Sequence, residues 1–538
     1  MRASERQRAN GQQLCRLQVA WSGSAMNGAQ AMIRTLVDAG VTTCFTNPGT
    51  SEMHFVAALD TVPEMRGVLG LFEGVATGAA DGYARMAGVP ACTLLHLGPG
   101  LGNGLANLHN ARKAATPMVN IVGDHATYHL KYDAPLASDI ETAARNVSPQ
   151  WVQRPERTAD LGRVTAEAVA VAMQPPGQVA TLILPADVSW NDGGEVAAPL
   201  PRVSRSPVDP DALDEVVKVL RSGEPVALLL GMTTMRRQPL FAAARIVAGT
   251  GARLFAETFV PRAERGAGIP RIEKLQYFSE MAEQQLAGVR HLVLVDAVSP
   301  VTFFAYPGKP SDLVPDGCQV HVLATGRDDA VGALAQLADE VGGDAPVVDA
   351  TAPQRPSGAL SGASLAAAVA ATLPEGAIVC DESNTNSVHM SAATAGCAPH
   401  EWLQLTGGAI GVGLPLATGA AVACPDRKVV ALEADGSAMY TIQALWTHAR
   451  EQLDVTTVIM NNRSYAILNI ELARTGAGAG GPKAKDLLDL SRPDLDFVRL
   501  AEGMGVPAVA VHSADEAVVA LERAHAEPGP HLIDAILA

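Results

Sequence analysis

The sequence lacks the features that mark secreted, membrane-spanning and nucleic-acid-binding proteins. Its seven cysteines are scattered, odd in number and contain no Cys-x-x-Cys pair, which favours a reduced, cytoplasmic protein over a disulfide framework. No apolar run approaches the ~20 residues of a membrane-spanning helix. With 40 basic and 56 acidic residues the formal net charge is −16. Because no basic stripe is available to neutralise phosphates, nucleic acid is not expected as a partner.

The chain is long enough for several domains. At 538 residues, of which 48% are hydrophobic, it can build about three cores of ordinary domain size. Residues 1–25 are basic and polar, and their apolar stretch is shorter than the roughly 7 residues that a signal peptide requires. An amphipathic pattern begins at Met26. We therefore expect residues 1–25 to be a disordered extension or the product of a start assigned too far upstream.

Two segments rich in proline and glycine divide the rest of the chain. The first lies at about 190–210 and the second at about 345–362, and such composition is typical of linkers. On either side, apolar strand-like runs alternate with helical patterns, which predicts α/β domains with doubly wound parallel sheets. The predicted domains span 26–195, 205–345 and 363–538.

A β-α-β unit lies near the start of the last third. The apolar run Val429–Leu432 predicts a buried strand, and Ala438–Arg450 has apolar residues at helical spacing. A second apolar run, Val455–Met460, ends at Asn461-Asn462. Asp435-Gly436-Ser437 forms the turn between the first strand and the helix. Oxygen-bearing side chains therefore follow both strands, at the edge of an open parallel sheet where ligands bind.

These residue types suit a metal and a diphosphate. Asp435 offers a carboxylate, and Asn462, 27 positions later, offers an amide oxygen. A few hard oxygen ligands suit Mg²⁺, which completes its shell with water and phosphate oxygens. The predicted helix that opens at Ser437 would point backbone N–H groups at the same place. The alternative is that an Asp-Gly turn and an Asn pair only terminate strands.

The Asp-Gly pair, about two dozen residues and then Asn-Asn resembles the diphosphate-binding signature of thiamine-diphosphate enzymes of the acetolactate synthase and benzoylformate decarboxylase kind. The resemblance covers residues 26–538 and implies pyrimidine-binding, middle and diphosphate-binding domains. It implies Mg²⁺ held by Asp435, the Asn462 side chain and the Ser464 carbonyl. The family usually has glycine where this chain has Ala434, so we expect a slight adjustment there. The cofactor-binding residues implied are Asn384, Thr385, Gly408, Ile410, Asp435, Gly436, Ser437, Tyr440, Asn462, Ser464, Tyr465, Ala466 and Ile467.

Three residues are candidates for catalysis. Glu73 precedes a run of small residues, EGVATGAADGYARMAG, that resembles the family segment carrying its indispensable acid; alone, it would be a solvated charge at a helix start. In the family this Glu hydrogen-bonds the aminopyrimidine of the cofactor, which then deprotonates its own thiazolium carbon. His96 ends a predicted strand, Ala91–Leu97, and matches the proton-transferring His of benzoylformate decarboxylases, although a structural role is the alternative. Thr50 matches a substrate-contacting Ser of those decarboxylases and is otherwise an ordinary turn residue.

Two glycine-rich segments and an acidic one have further predicted roles. The segment Gly98–Gly104, predicted to be a loop, does not fit the dinucleotide fingerprint because position 103 is Asn. The segment Thr406–Gly411 resembles the family loop that bends the cofactor around Ile410, and is otherwise a turn with one core Ile. Residues Asp381–Thr385 follow a predicted strand, Ala377–Cys380, and would meet the diphosphate from the other side.

The resemblance implies decarboxylation of a 2-oxo acid with carboligation, as in acetolactate synthases. A non-ligating decarboxylase is the alternative favoured by His96. An FAD-containing oxidase and an idle cofactor-binding paralogue remain as rivals, although residues 205–345 contain no glycine-rich phosphate loop. The substrate pocket departs from both relatives at Pro135-Leu136 and at Phe304-Ala305. Family members complete each cofactor site with the Glu of a second subunit, which implies at least a homodimer and favours a homotetramer.

Overall fold

The computed structural model describes residues 26–345, 349–351 and 353–537. The predicted extension, residues 1–25, lies outside the described residues. Three sheets of six, five and seven strands follow one another along the chain, and helices cover them. The predicted fold class, α/β with three mainly parallel sheets, is confirmed. None of the helices in the described part of the chain is both long and apolar enough to cross a membrane.

The first sheet is parallel throughout and has the order β2-β1-β3-β4-β6-β5. Its central strands are buried on both faces, as the continuous apolar runs of the sequence predict. Its strands are β1 (Thr43–Asn47), β2 (Arg66–Leu69), β3 (Ala91–Leu95), β4 (Met118–Asp124), β5 (Val152–Gln153) and β6 (Val179–Pro185). Its helices are α1 (Gly28–Asp38), α2 (Met53–Ala58), α3 (Glu73–Ala87), α4 (Leu97–Lys113), α5 (Ile140–Arg145), α6 (Leu161–Ala172) and α7 (Ala186–Trp190).

The second sheet is smaller, with the order β10-β8-β7-β11-β12. One strand of this part of the chain, β9, leaves it and joins the third sheet. The strands are β7 (Val226–Leu230), β8 (Arg253–Ala256), β9 (Arg262–Arg265), β10 (Glu273–Lys274), β11 (His291–Val295) and β12 (Gln319–Ala324). The helices are α8 (Pro210–Leu220), α9 (Arg237–Thr250), α10 (Ser279–Leu286) and α11 (Ala330–Val341).

The third sheet has the order β17-β18-β16-β15-β13-β14-β9 and is parallel except for β9. Its strands are β13 (Ile378–Glu382), β14 (His400–Gln404), β15 (Val429–Ala434), β16 (Val455–Asn461), β17 (Ala508–Val511) and β18 (His531–Ile536). Its helices are α12 (Gly362–Thr372), α13 (Ser387–Ala393), α14 (Gly413–Ala423), α15 (Asp435–Thr441), α16 (Ala444–Arg450), α17 (Ala466–Arg474), α18 (Pro482–Asp486), α19 (Phe497–Gly503) and α20 (Ala514–Ala526).

Three local predictions are wrong. The strand predicted to reach Leu97 ends at Leu95, and the predicted loop 98–104 is the first part of α4. The helix predicted over 438–450 is two helices, α15 and α16, separated by Ile442 and Gln443. The strand predicted to end at Cys380 continues through Asp381 and Glu382. For the segment 98–104 the missing information is tertiary, since glycines that weaken an isolated helix here allow close packing.

Helices α3 and α14 hold the first sheet against the third. They approach so closely that a Cβ on Gly82 would lie 2.1 Å from the carbonyl oxygen of Leu416. A Cβ on Gly419 would lie 1.8 Å from the carbonyl oxygen of Ala79. Only glycine fits at either position without displacing backbone. The small residues of the 73–88 segment therefore serve interhelical contact.

Candidate active site

The end of β15 carries the first group of predicted site residues. Asp435 is the first residue of α15 and is 2% exposed. Its Oδ1 accepts a hydrogen bond from the Gly436 N–H at 2.8 Å, and its Oδ2 accepts one from the Arg463 N–H at 2.6 Å. Burial raises the pKa of the Asp435 carboxyl, against the lowering effect of these backbone donors. The Asp435 carboxylate thus connects the ends of β15 and β16, the two strands of the predicted β-α-β unit.

The neighbouring residues surround this carboxylate. Asn462 follows β16, and its Oδ1 accepts a hydrogen bond from the Ser464 N–H at 3.0 Å. Asn384, in the left-handed region with φ of 48°, donates from Nδ2 to Ser437 Oγ at 2.8 Å. The ring of Tyr465 packs on Gly436, where a Cβ would lie 2.4 Å from the ring. Of the other predicted residues, Thr385 follows Asn384, Tyr440 lies on α15, and Ala466 and Ile467 begin α17.

This donor set fits Mg²⁺ rather than a transition metal. The described residues contain no group of three or more His, Cys, Asp and Glu side chains placed to hold a metal. The predicted set is one buried carboxylate, one amide oxygen and one carbonyl oxygen, from Asp435, Asn462 and Ser464. Mg²⁺ accepts few protein ligands of this kind and fills its remaining positions with water and phosphate oxygens.

The loop 406–411 lies beside α4 and is held by three side chains of that helix, those of Asn107, His109 and Asn110; His109 Nε2 lies 3.1 Å from the Gly407 carbonyl oxygen. Asn110 Nδ2 donates to the Ala409 carbonyl at 2.7 Å, and Asn107 Nδ2 donates to the Gly411 carbonyl at 3.2 Å. Gly408 has a φ of +76°, a conformation that favours glycine. Ile410 is half-buried and packs on the core shared by the first and third sheets. The loop is therefore fixed at the junction of the two sheets.

Glu382 fixes the other end of this loop. Its carboxylate accepts hydrogen bonds from the N–H groups of Gly411, Val412 and Gly413 at 2.7, 2.8 and 2.6 Å. Glu433 lies opposite on β15, buried and without a hydrogen-bond partner for its carboxyl among the described residues. Burial raises the pKa of Glu382 to about 7 and that of Glu433 well above its ordinary value.

Glu73 begins α3 and is 6% exposed. Its Oε2 accepts a hydrogen bond from Asn103 Nδ2 at 2.9 Å. Gly100 lies on the other side, where a Cβ would be 3.0 Å from Glu73 Oε1 and 3.4 Å from the Cβ of His96. The glutamate carboxyl and the Cβ of the histidine therefore both lie beside one glycine, Gly100, at the start of α4.

His96 directly precedes α4 and is paired with a carboxylate. Its Nδ1 lies 2.8 Å from Oε2 of Glu52, which is fully buried. Glu52 also accepts hydrogen bonds from the Gly49 N–H at 2.7 Å and from Ser51 Oγ at 2.6 Å. Thr50 is exposed and lies two residues before Glu52, at the start of a short 3₁₀ helix, Thr50–Glu52. Glu52 thus fixes the histidine ring from the buried side.

Sequence reasoning missed Glu52 and Asn103. Asn103 was noted only because it breaks a dinucleotide fingerprint, whereas it holds the carboxyl of Glu73. Glu52 lies two residues after Thr50. A glutamate three residues after Gly49 can accept a hydrogen bond from the Gly49 N–H at a helix start, and this spacing is a local signal for Glu52. Its pairing with His96 has no local signal.

The structure brings these residues into two groups. Glu73, His96 and Thr50 lie at the carboxyl edge of the first sheet, and the Asp435 group lies at the carboxyl edge of the third. Within the described ranges no hydrogen bond joins the Glu73 side chain to that of Asp435 or Asn462.

The carboxyl edge of the second sheet is acidic. Glu257 and Asp296 follow β8 and β11, and burial raises the pKa of the Glu257 carboxyl to about 7 and raises that of Asp296. Asp296 accepts hydrogen bonds from the N–H and hydroxyl of Thr233. Buried carboxyl groups at this edge do not favour the phosphates of a nucleotide, so FAD gains no support.

Comparison with known proteins agrees with this geometry. Residues 26–149 match the family model of the thiamine pyrophosphate enzyme N-terminal TPP binding domain, and residues 385–535 match that of the C-terminal TPP binding domain. A Mycobacterium tuberculosis protein provisionally named acetolactate synthase large subunit IlvX is 63% identical, over 95% of this chain and 99% of its own. Benzoylformate decarboxylase of Pseudomonas aeruginosa is 27% identical, over 92% of this chain and 96% of its own.

A solved structure extends the likeness over the whole chain. The thiamine diphosphate-dependent 4-hydroxybenzoylformate decarboxylase of Rhodococcus jostii superposes with a TM-score of 0.81 at 26% identity, covering 95% of this chain and 99% of that one. Both cofactor-binding family models and a relative of nearly full length therefore agree. The chain belongs to the thiamine-pyrophosphate-dependent enzyme family.

Proposed function

We propose that the protein uses thiamine diphosphate and Mg²⁺ to decarboxylate a 2-oxo acid, and that His96 then delivers the proton that completes an aldehyde product. The observation that carries this proposal is the 2.8 Å contact between His96 Nδ1 and Glu52 Oε2. When bound, thiamine diphosphate supplies the carbon nucleophile and accepts the electrons that departing CO₂ leaves behind.

Each group of site residues then has a distinct part. Asp435, Asn462 and Ser464 hold Mg²⁺, and Asn384 and Ser437, joined by their hydrogen bond, border the diphosphate. Ile410 supports the bend of the cofactor, on a loop fixed by Glu382 and Asn110. Glu73 hydrogen-bonds the aminopyrimidine, and Asn103 holds the Glu73 carboxyl in place.

His96 is suited to proton transfer. Because its Nδ1 faces the Glu52 carboxylate, its Nε2 is left to face the substrate, and the side chain is 24% exposed while that of Glu52 is fully buried. A carboxylate at Nδ1 fixes the tautomer and orientation of the ring. Thr50 lies on the exposed side of the same turn and contacts the substrate.

Carboligation, the reaction that the sequence alone favours, is the second candidate. Its support is the name of the relative that is 63% identical. In that reaction the carbon that His96 would protonate instead attacks a second carbonyl compound. Both candidates share the decarboxylation and the same residue roles. They differ only in whether His96 protonates the carbon that has lost CO₂.

We infer that the protein is a homodimer at least, and a homotetramer on the family pattern. The support is that no hydrogen bond in the described chain joins the Glu73 group to the Asp435 group, so that Glu73 of one subunit would complete the site of its partner. We also propose that each subunit has three domains, with the boundaries 26–195, 205–345 and 363–538. FAD is not proposed.

Product analysis tests the proposal. The protein is incubated with thiamine diphosphate, Mg²⁺ and either pyruvate or benzoylformate, and products are identified by NMR alongside Glu73→Gln. An aldehyde supports decarboxylation with protonation, and an acetolactate-type product supports carboligation. Cofactor binding without any loss of CO₂ from a 2-oxo acid would refute both, and full activity in Glu73→Gln would refute the role of Glu73.

A further inference from the structure

Four aromatic side chains gather where the second sheet meets the third. The ring centroid of Phe303 lies 5.7 Å from that of Phe259, 5.3 Å from that of Tyr277 and 5.0 Å from that of Phe304. Most of these pairs are edge-to-face, a favourable arrangement for aromatic rings. We call Phe259, Tyr277, Phe303 and Phe304 the aromatic cluster. In a chain with only 4% aromatic residues, such a concentration requires an explanation.

The aromatic cluster contacts the loop that carries Ile410. The Phe303 ring rests on Gly408, where a Cβ would lie 2.5 Å from Cζ of the ring. Because Gly408 has no side chain and a φ of +76°, the ring reaches the backbone of the loop directly. The cluster is therefore next to the place where the reactive part of the cofactor is expected.

The segment 303–306 is also attached to the helix that follows the predicted metal ligands. The Tyr306 hydroxyl donates to Glu471 Oε1 on α17 at 3.1 Å, and the Arg474 guanidinium lies 4.9 Å from the centre of the Tyr306 ring. Arg474 also forms an ion pair with Glu280 on α10 at 2.7 Å. The segment 303–306 thus contacts the loop 406–411 through Phe303 and α17 through Tyr306.

The rings of this cluster are not equally covered. Phe259 and Tyr277 are half-buried, and the Lys274 ammonium lies 5.0 Å from the centre of the Phe259 ring. Phe303 and Phe304 are 41% and 53% exposed. Two large apolar side chains left open beside a binding site are suited to an apolar part of a ligand.

We propose that Phe303 and Phe304 determine substrate specificity, and that they select a 2-oxo acid with a phenyl-sized apolar side chain over pyruvate. This inference rests on the proposed function and concerns the same site. Phe259 and Tyr277 support the two exposed rings from behind. A phenyl group can reach both rings and meet them edge to face, whereas the methyl group of pyruvate is too small to bury their exposed surface.

Steady-state kinetics of the full-length holoenzyme with pyruvate, 4-methyl-2-oxopentanoate, phenylpyruvate and benzoylformate test the proposal. We expect kcat/KM to be about 100-fold higher for an aryl substrate than for pyruvate, since side-chain burial of this size discriminates by one to two orders of magnitude. Phe304→Ala should lower that preference about tenfold, and Phe304→Leu should restore part of it. Phe241→Leu on α9, whose ring stacks with Arg237, is the control and should leave the preference unchanged.

A binding measurement that needs no turnover accompanies the kinetics. Titration calorimetry with the unreactive 2-hydroxy acids compares 2-hydroxy-2-phenylacetate with lactate, and we expect tighter binding of the aryl acid and loss of this difference in Phe304→Ala. A preference for pyruvate, or an aryl preference that survives Phe304→Ala, would overturn the inference and leave the decarboxylase proposal intact. Failure of the cofactor-loaded protein to consume any 2-oxo acid would overturn the proposed function, and this inference with it.

Discussion

The Nδ1 atom of His96 lies 2.8 Å from the Oε2 atom of Glu52, a residue 44 positions earlier in the chain. The carboxylate is fully buried, and the histidine is partly exposed toward the site. A buried carboxylate that receives a backbone N–H and a hydroxyl as well as the imidazole is held rigidly. The pair therefore has the arrangement of a positioned proton donor rather than of a surface ion pair.

Glu52→Gln should lower kcat for decarboxylation by about 100-fold, in the range that general acid–base groups contribute. The amide keeps the shape of the side chain but removes the carboxylate that orients the imidazole through Nδ1. Thiamine diphosphate affinity, measured by titration calorimetry, should be unchanged. The control is Glu64→Gln, an exposed glutamate paired only with Arg34, and an equal kcat in wild type and Glu52→Gln would contradict the role of this pair.

Gly123→Ala tests the same contact by steric means, with the charge intact. A Cβ at this position would lie 1.6 Å from Oε1 of Glu52, so the buried carboxylate must move. We expect a loss of about 1–3 kcal/mol in the free energy of unfolding, measured in urea, together with a lower kcat. The control is Gly67→Ala, whose Cβ would meet only the Leu59 side chain at 3.2 Å and which should have little effect on kcat. If kcat of Gly123→Ala equals that of Gly67→Ala, the position of the Glu52 carboxylate does not determine the rate.

Asp435→Asn should remove most of the affinity for thiamine diphosphate in the presence of Mg²⁺. The change deletes the one carboxylate of the predicted donor set, and Mg²⁺ depends on such a charged oxygen ligand. Calorimetry with Mg²⁺ and cofactor together should record a loss of at least about tenfold. The exposed turn residue Asp426 provides the control as Asp426→Asn. Wild-type affinity in Asp435→Asn would show that the metal lies elsewhere.

The sequence predicted those parts of the structure that depend on local pattern. The strands β15 and β16 begin at Val429 and Val455, as the sequence predicts, because continuous apolar runs are stable only when they are buried on both faces. Asp435 is predicted from its place at a strand end, 27 residues before Asn462, whereas Glu73 is predicted only through the resemblance of its segment, EGVATGAADGYARMAG, to the family.

Other features depend on contacts between distant residues and could not be predicted. The glycines of the segment 98–104 predict a loop, because glycine weakens an isolated helix. In the fold, Gly100 and Gly104 make room for Glu73 and Thr77, so these two glycines serve the packing of α4 against α3. His96, the partner of Glu52, lies between β3 and α4, 44 positions further along the chain. The aromatic cluster is likewise assembled from segments 44 positions apart, between Phe259 and Phe303.

Gly419→Ala should destabilise the protein strongly. Its Cβ would lie 1.8 Å from the Ala79 carbonyl oxygen, so α3 and α14 must separate, at a cost of about 1–3 kcal/mol or more. The matched control is Gly102→Ala in α4, where nothing lies within 4 Å of the added Cβ. That change should stabilise the helix by up to about 1 kcal/mol. Thermal unfolding of both variants measures the difference, and equal effects would contradict the close packing.

His448 predicts an acid-dependent loss of stability. The residue lies on α16, fully buried, with Nε2 2.8 Å from Thr418 Oγ1 and no hydrogen-bond partner for Nδ1 among the described atoms. Burial lowers the pKa of this imidazole from 6.5 to about 4. In the folded protein His448 therefore stays neutral down to a pH of about 4, while in the unfolded chain the same imidazole takes up a proton below pH 6.5.

Because the unfolded state binds more protons at His448 between pH 6.5 and 4, the contribution of His448 to the free energy of unfolding falls as the pH is lowered through this window. Above pH 6.5 this contribution is constant. At pH 5 the contribution is up to about 2 kcal/mol relative to pH 7.5. Glu382 acts with the opposite sign, since its pKa is raised to about 7 and the folded state retains its proton between pH 4.5 and 7. The contribution of His448 is therefore isolated by comparing wild type with His448→Gln in urea at both pH values. In His448→Gln, the loss of unfolding free energy between pH 7.5 and pH 5 should be smaller than in the wild type by about 2 kcal/mol. The exposed control His512→Gln should not reproduce this change. An identical pH dependence of all three proteins would show that burial does not lower the pKa of His448.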